Sequence, residues 1–121
     1  MAERNRLHQR YAALLEGLPV QLLHIPAECY CALHLAVIRL QGDHAARHHA
    51  VFEGLRQVGI GVQLYYTPVH LQPDYRRLGF REGDCPQAEA YARSAISLPL
   101  FPGLTAEEQE RVVAALAELL G

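Results

Sequence analysis

The segment between residues 65 and 75 concentrates side chains that could bind a polar ligand. It reads Tyr65-Tyr66-Thr67-Pro68-Val69-His70-Leu71-Gln72-Pro73-Asp74-Tyr75. Tyrosine rings offer flat apolar faces, while an imidazole and an amide both donate and accept hydrogen bonds. Loops that leave strand ends often carry binding residues. The segment therefore favours a ring-shaped polar ligand such as a sugar or nucleotide, and a tyrosine cluster that only packs is the alternative.

Histidines and cysteines raise the alternative of a metal site. The sequence has 7 histidines, and His44 and His48 have the i, i+4 spacing that places two ligands on one helix face. No acidic or thiol side chain stands at a recognisable offset from them, and packing of His48 beside Phe52 is the simpler interpretation. Cys29 and Cys31 form one close pair without the second pair that a zinc site needs. The sequence thus predicts no metal-binding residues.

Two further motifs have competing interpretations. If Pro86 begins a helix, Cys85 stands at the helix N-terminus, where the helix dipole favours a thiolate. An inert buried thiol is the alternative. Gly59-Ile60-Gly61 resembles a phosphate-binding loop, but such loops lead from a strand into a helix. Here a helix leads into a strand, so we interpret these glycines as element boundaries.

Composition limits the classes of function. The chain has 121 residues, of which 50% are hydrophobic, and a formal net charge of -2. These values predict one folded domain over residues 1–121 and argue against a nucleic-acid or anionic-membrane surface. No signal peptide or membrane-length apolar run is visible, and the cysteine usage favours a reducing, cytoplasmic setting. All 11 basic residues are arginine, so no lysine is available for a Schiff base.

Hydrophobic periodicity and boundary residues predict the elements that position these side chains. Helices are predicted over residues 7–18, 43–59, 73–79, 86–93 and 105–120, the last with a capping box of Thr105 and Glu108. Strands are predicted over residues 20–25, 33–40, 60–66 and 96–100. The near-continuous apolar run 33–40 is predicted to be a central strand that is covered on both faces.

This element order predicts an α+β fold. We expect a two-layer sandwich in which a small, mostly antiparallel sheet carries helices on one face. The other face of the sheet would then be apolar and bare, which soluble domains rarely tolerate. A second copy of the chain or a further domain is expected to cover it.

An ordered set of motifs runs through the second half of the chain. They are Gly59-Ile60-Gly61-Val62-Gln63, Tyr66-Thr67-Pro68-Val69-His70-Leu71-Gln72-Pro73, Tyr75-Arg76-Arg77-Leu78-Gly79-Phe80, Gly83-Asp84-Cys85-Pro86 and Ser97-Leu98-Pro99-Leu100-Phe101-Pro102. This set resembles the C-terminal small domain of the DegT-like sugar-nucleotide aminotransferases, which are pyridoxal-phosphate (PLP) enzymes of fold type I. The pattern is most like the branch of pseudaminic acid and spore-coat polysaccharide biosynthesis, and the resemblance extends over essentially the whole chain.

The resemblance implies an activity and a set of site residues. The family holds PLP in a large domain through a lysine aldimine, and glutamate is the amino donor. The small domain closes one side of the sugar-nucleotide pocket. By their positions in the motifs, Tyr66, His70 and Gln72 are implied to bind substrate, and no catalytic or cofactor-binding residue is implied in this chain. His34 falls on a histidine-leucine strand motif and is implied to be structural.

The chain departs from the family pattern at single residues and in extent. Tyr65 stands where many members have histidine, and Cys85 where many have phenylalanine. The lysine-bearing large domain is not part of the 121 residues. We therefore expect a domain fragment that is inactive alone and binds no cofactor by itself, with the large domain or a second copy as partner. The alternative is a stand-alone binding or assembly module that uses the apolar sheet face.

Overall fold

The computed structural model describes all residues from Met1 to Gly121. Its α-helices are α1 (Ala2–Leu14), α2 (His48–Gln57), α3 (Pro73–Arg77), α4 (Pro86–Ala92) and α5 (Ala106–Leu120). Its strands are β1 (Val20–Leu22), β2 (Ala36–Leu40) and β3 (Ala95–Leu98), and 3₁₀ helices span Gly42–Arg47 and Val69–Leu71. The predicted α+β class is therefore confirmed. None of the helices is long and apolar enough to cross a bilayer.

The three strands form one antiparallel sheet in the order β1-β2-β3. Ile38 of the central strand β2 lies opposite Leu22 of β1 and Ile96 of β3. Ile38 and Ile96 belong to the same buried cluster as Leu55 of α2 and Leu116 of α5. This cluster is the interface between the sheet and the helical layer, as predicted for a two-layer sandwich.

The central strand is shorter and less buried than the sequence predicts. It begins at Ala36, and its burial alternates: Ala36, Ile38 and Leu40 are buried, whereas Val37 and Arg39 are half-buried. Alternation with a period of two is the pattern of a strand with one face in the core. The predicted start at residue 33 is therefore wrong, and within this chain only one face of the strand lies in the core. The outer face carries charge, because Arg39 projects from it.

The predicted strand over residues 60–66 is also wrong. Only Gln63 pairs with the sheet, through an isolated antiparallel bridge to Ser97. The Gln63 N–H donates to the Ser97 carbonyl at 3.1 Å, and the Ser97 N–H donates to the Gln63 carbonyl at 2.9 Å. Ile60 and Val62 are part of the buried core. The alternation of apolar and polar residues here therefore reflects burial of these side chains, although the backbone forms no continuous ladder of strand hydrogen bonds.

Helix α1 is fixed to the core by two polar contacts, one buried and one partly buried. It begins earlier than predicted, at Ala2, and ends at Leu14. The Tyr11 hydroxyl donates to the Pro99 carbonyl at 2.9 Å, and Gln109 Nε2 of α5 donates to the Leu7 carbonyl at 2.9 Å. Burial raises the pKa of Tyr11 above its ordinary value. These contacts join the first helix to the last helix and to the end of β3.

Helix α5 begins where the capping box predicts. The Glu108 N–H donates to Thr105 Oγ1 at 3.1 Å, and the Thr105 N–H donates to Glu108 Oε2 at 2.8 Å. Helix α2 ends as predicted, since Gly59 adopts a φ of 81° just beyond it. Such a left-handed residue costs least as glycine.

Loss of the cap should destabilise α5. We expect Thr105→Ala to lower the free energy of unfolding by about 1 kcal/mol, because the Glu108 N–H loses its acceptor. Urea unfolding followed by circular dichroism measures this change. Thr67→Ala is the matched control, since the exposed Thr67 side chain makes no hydrogen bond. Equal losses in both variants would contradict a specific cap.

Candidate functional site

The segment between the Gln63 bridge and α4 is an exposed excursion from the core. His70 is the only buried residue between residues 64 and 88. It lies in the 3₁₀ helix Val69–Leu71, directly before α3, whose first residue is Pro73. The predicted ligand-binding segment is therefore attached to the core chiefly through one side chain.

His70 makes a buried hydrogen bond to Glu89 of α4. His70 Nε2 lies 2.7 Å from Glu89 Oε1, and the two residues are 7% and 3% exposed. A carboxylate can only accept hydrogen bonds, so His70 Nε2 carries the hydrogen and donates it. The imidazole is thus directed into the protein at this nitrogen, where it joins the 3₁₀ helix to α4.

Glu89 also organises the turn that precedes α4. The Gly83 N–H donates to both carboxylate oxygens, at 2.9 Å to Oε1 and 3.1 Å to Oε2, and the Cys85 N–H lies 3.4 Å from Oε1. The hydrogen bond from His70 holds the pKa of Glu89 below its ordinary value; burial opposes this effect, and the two backbone donors add to it. One ionised carboxylate therefore connects the 3₁₀ helix, the turn and α4.

Gln72 stabilises the same loop through a hydrogen bond within the loop. Its Nε2 donates to the Thr67 carbonyl at 3.2 Å, and Arg76 Nε donates to the Leu71 carbonyl at 2.9 Å. Both side chains are exposed. These contacts close the backbone between residues 67 and 76 into a compact turn.

Tyr66 projects from this turn into solvent. It is 73% exposed, and its ring lies 4.6 Å from the ring of half-buried Tyr65, measured between centroids. Of the three residues implied to bind substrate, Tyr66 is thus the one that presents a large free surface. His70 and Gln72 lie on the same loop and are used for its internal hydrogen bonds.

Glu89 was not identified from the sequence. Glu89 is 19 residues from His70 along the chain. At that separation, local sequence patterns do not indicate which side chains are in contact. The available signal was an acidic residue in the first turn of a helix that begins at Pro86, where it complements the helix dipole. The sequence did place Cys85 correctly at the N-cap of α4, and this thiol is exposed.

The other candidate ligands do not converge. His44 lies in the 3₁₀ helix and His48 opens α2, so the pair does not share one α-helical face. His48 Nε2 is 2.8 Å from the Ala95 carbonyl, which identifies it as a structural residue. No group of three or more histidine, cysteine or acidic side chains forms a potential metal site. His34 is exposed and makes no hydrogen bond within this chain, so its implied structural role stays a prediction.

The candidate loop lies outside the three main cavities of the chain. The three main cavities have volumes of about 450, 270 and 410 Å³, and none is lined by Tyr66, His70 or Gln72. The loop is therefore not enclosed by any of these three cavities. A ligand at Tyr66 would need a second surface to enclose it, because small-molecule sites bury most of the ligand.

The chain does not provide the group that would tether PLP. The cofactor forms its internal aldimine with a lysine side chain, and all 11 basic residues here are arginine. The residues present therefore do not fit covalent attachment of PLP.

Comparison with known proteins identifies the family. The profile of the DegT/DnrJ/EryC1/StrS aminotransferase family matches residues 1–117. A curated relative, the pleiotropic regulatory protein of Geobacillus stearothermophilus, is 38% identical over 96% of this chain, which spans 31% of that protein. The chain is thus about a third as long as this relative.

Solved structures agree with that assignment. The structure described as "Putative sugar aminotransferase Spr1654 from Streptococcus pneumoniae, PLP-form" superposes with a TM-score of 0.89 at 25% identity, over 98% of this chain and 30% of its own. PseC of Helicobacter pylori, an aminotransferase involved in pseudaminic acid biosynthesis, has a TM-score of 0.87 over 98% of this chain and 32% of its own. At 22% identity, PseC shares the fold alone. The chain belongs to the DegT/DnrJ/EryC1/StrS aminotransferase family.

Proposed function

We propose that the chain is the C-terminal small domain of a PLP-dependent sugar-nucleotide aminotransferase. The complete enzyme would transfer an amino group from glutamate to a keto-sugar nucleotide during surface-polysaccharide or spore-coat biosynthesis in the cytoplasm. The observation that carries this proposal is the family match over residues 1–117 by a chain that spans 31% of its curated relative. The remaining two thirds of such a protein is where the large domain and its lysine belong.

The exposed loop supports a role at the edge of the substrate pocket. Tyr66 presents an exposed aromatic surface, and the large domain would supply the second wall of the site. Tyrosine can stack on a sugar or base and also hydrogen bond through its hydroxyl. We assign the direct substrate contact to Tyr66.

His70 and Gln72 contribute to this site by holding the loop. His70 is bonded to Glu89 and Gln72 to the Thr67 carbonyl, so each fixes the backbone that carries Tyr66. A rigid loop loses less conformational entropy when a ligand binds. PLP, when bound in the large domain, supplies the electron sink for amino transfer, and this chain contributes binding surface.

The isolated chain should lack aminotransferase activity. We expect no 2-oxoglutarate when the purified chain is mixed with PLP, glutamate and a keto-sugar nucleotide, because no lysine is present to hold the cofactor. Coupled glutamate dehydrogenase measures the product. Stoichiometric keto-acid formation, or an aldimine absorbance that survives dilution, would overturn the proposal that activity requires the large domain.

A chimera tests the positive part of the proposal. This chain replaces the matched segment of Spr1654, which is 30% of that protein, and the hybrid is assayed for sugar-nucleotide amination. We expect activity, and Tyr66→Ala in the hybrid should raise KM for the sugar nucleotide by about tenfold, the loss typical of an aromatic contact.

Tyr30→Ala is the matched control for Tyr66→Ala. Tyr30 is 64% exposed and lies outside the loop. Equal KM values for the Tyr66 variant and the unmodified hybrid would remove Tyr66 from the site. A hybrid that folds and binds PLP yet aminates no sugar nucleotide would contradict the assigned substrate class.

A further inference from the structure

The outer face of the sheet carries an arginine with no acidic partner. Arg39 of β2 lies opposite Gln21 of β1 and Ala95 of β3. Its Nε donates to Ser94 Oγ at 3.2 Å, and its Cζ lies 5.6 Å from the centroid of the Tyr91 ring. Neither Nη atom makes a hydrogen bond within the protein. The guanidinium is therefore held by the hydrogen bond from Nε to Ser94 and by its contact with the Tyr91 ring. Its two Nη groups remain free to bind a ligand.

Arg39 differs from the four arginines that form ion pairs; the other six arginines, like Arg39, have no carboxylate partner, but none of them lies in a strand. Arg6, Arg10, Arg77 and Arg93 each form an ion pair with a carboxylate, and all of them belong to helices or their ends. Arg39 is half-buried in the middle of a sheet, where the loss of water makes an unpaired charge more costly. An external anion would relieve that cost.

Arg39 also lines a cavity of about 410 Å³. The cavity is formed by residues of β1 and the chain after it, by β2 and by α4; they are Gln21, Leu22, Leu23, His24, Val37, Arg39 and Tyr91. No acidic residue is among them. Its volume lies within the range of small-ligand sites, and its one permanent charge is positive.

We propose that this cavity binds a small carboxylate anion, with Arg39 as the primary contact. The two free Nη groups can donate parallel hydrogen bonds to the two oxygens of a planar carboxylate. The Tyr91 ring covers one face of the guanidinium, so a ligand would approach the two Nη groups in the plane of the guanidinium. Leu23 and Val37 provide apolar surface for the carbon chain of the ligand, and Gln21 offers an amide donor beside it. The proposal does not depend on the proposed aminotransferase function.

Titration of the full chain with sodium acetate tests the proposal. Backbone amide shifts of Gln21, Arg39 and Ala95 are followed by NMR at constant ionic strength, with sodium chloride as the balancing salt. We expect saturable shifts at these residues and about tenfold weaker binding in Arg39→Gln, because a charge-assisted bidentate contact is lost. Sodium chloride alone should give no saturable shift.

Arg56→Gln is the matched control. Arg56 also lies over an aromatic ring, with its Cζ 5.6 Å from the Phe52 centroid, but it lies outside the cavity. Arg39→Lys keeps the positive charge but cannot form two parallel hydrogen bonds to a carboxylate, so it should also bind acetate more weakly. This second variant keeps the proposal testable if Arg39→Gln does not fold. Unchanged affinity in a folded Arg39 variant, an equal loss in Arg56→Gln, or equal shifts with chloride would each overturn the proposal.

Discussion

Ile38→Ala is expected to lower the free energy of unfolding by about 2–5 kcal/mol, because it removes a fully buried side chain and leaves a cavity between the sheet and the helices. Ile38 is 0% exposed and lies at the centre of the core cluster. Its neighbours across the sheet, Leu22 and Ile96, belong to short strands. Chemical denaturation at equilibrium, with both midpoint and slope fitted, measures the change.

Val37→Ala is the control for this experiment. Val37 is the next residue of the same strand, and it faces the outer side of the sheet, where it is half-buried. We expect a loss below about 1 kcal/mol, the size typical of a partly exposed side chain. Similar losses for the two variants would mean that both faces of β2 are core, as the sequence alone predicts.

Glu89→Gln is expected to loosen the loop that carries Tyr66 and to remove a pH dependence. The folded pKa of Glu89 is held below its ordinary value of 4.5, so its ionised form contributes stability at higher pH. That contribution is complete above about pH 4.5 and is lost as the pH falls through the folded pKa. The difference in unfolding free energy between the native chain and the variant should therefore shrink as the solution is acidified from pH 6 to pH 3.

Amide hydrogen exchange separates this local effect from a global one. The Gly83 N–H donates directly to Glu89, so its exchange should accelerate in Glu89→Gln at pH 6. Glu107→Gln is the matched control, because Glu107 is an exposed residue in the first turn of α5 that forms no ion pair. Unchanged protection of Gly83 in the Glu89 variant would show that the carboxylate does not hold the turn.

The parts of the fold that were predictable from sequence are those encoded locally. The Thr105–Glu108 capping box, Gly59 at the end of α2 and Pro86 at the start of α4 each act through neighbouring backbone groups, and the structure shows all three in place. The predicted limits of the strands are wrong because an apolar run indicates only that side chains are buried. A strand also requires backbone hydrogen bonds to a neighbouring strand. The segment 60–66 is buried at Ile60 and Val62 but pairs at Gln63 alone.

The candidate site was predictable only as a stretch of chain. Residue types predicted a binding loop in the segment around Tyr66. The sequence could not show that His70 is directed inward, since its partner Glu89 lies 19 residues away on another helix. The division of roles between an exposed tyrosine and a buried histidine depends on that long-range contact.

The way in which the exposed segment between Gln63 and α4 is joined to the core determines how freely its sequence can change. Between residues 64 and 88 only His70 is buried, while Tyr65, Pro68 and Leu71 are half-buried. The Gln63–Ser97 bridge fastens the segment where it leaves the sheet. Its length and surface chemistry can therefore change without repacking the hydrophobic core, provided that the histidine and its glutamate are kept. Transplanting this stretch between homologues should alter ligand preference while the melting behaviour of the scaffold is preserved.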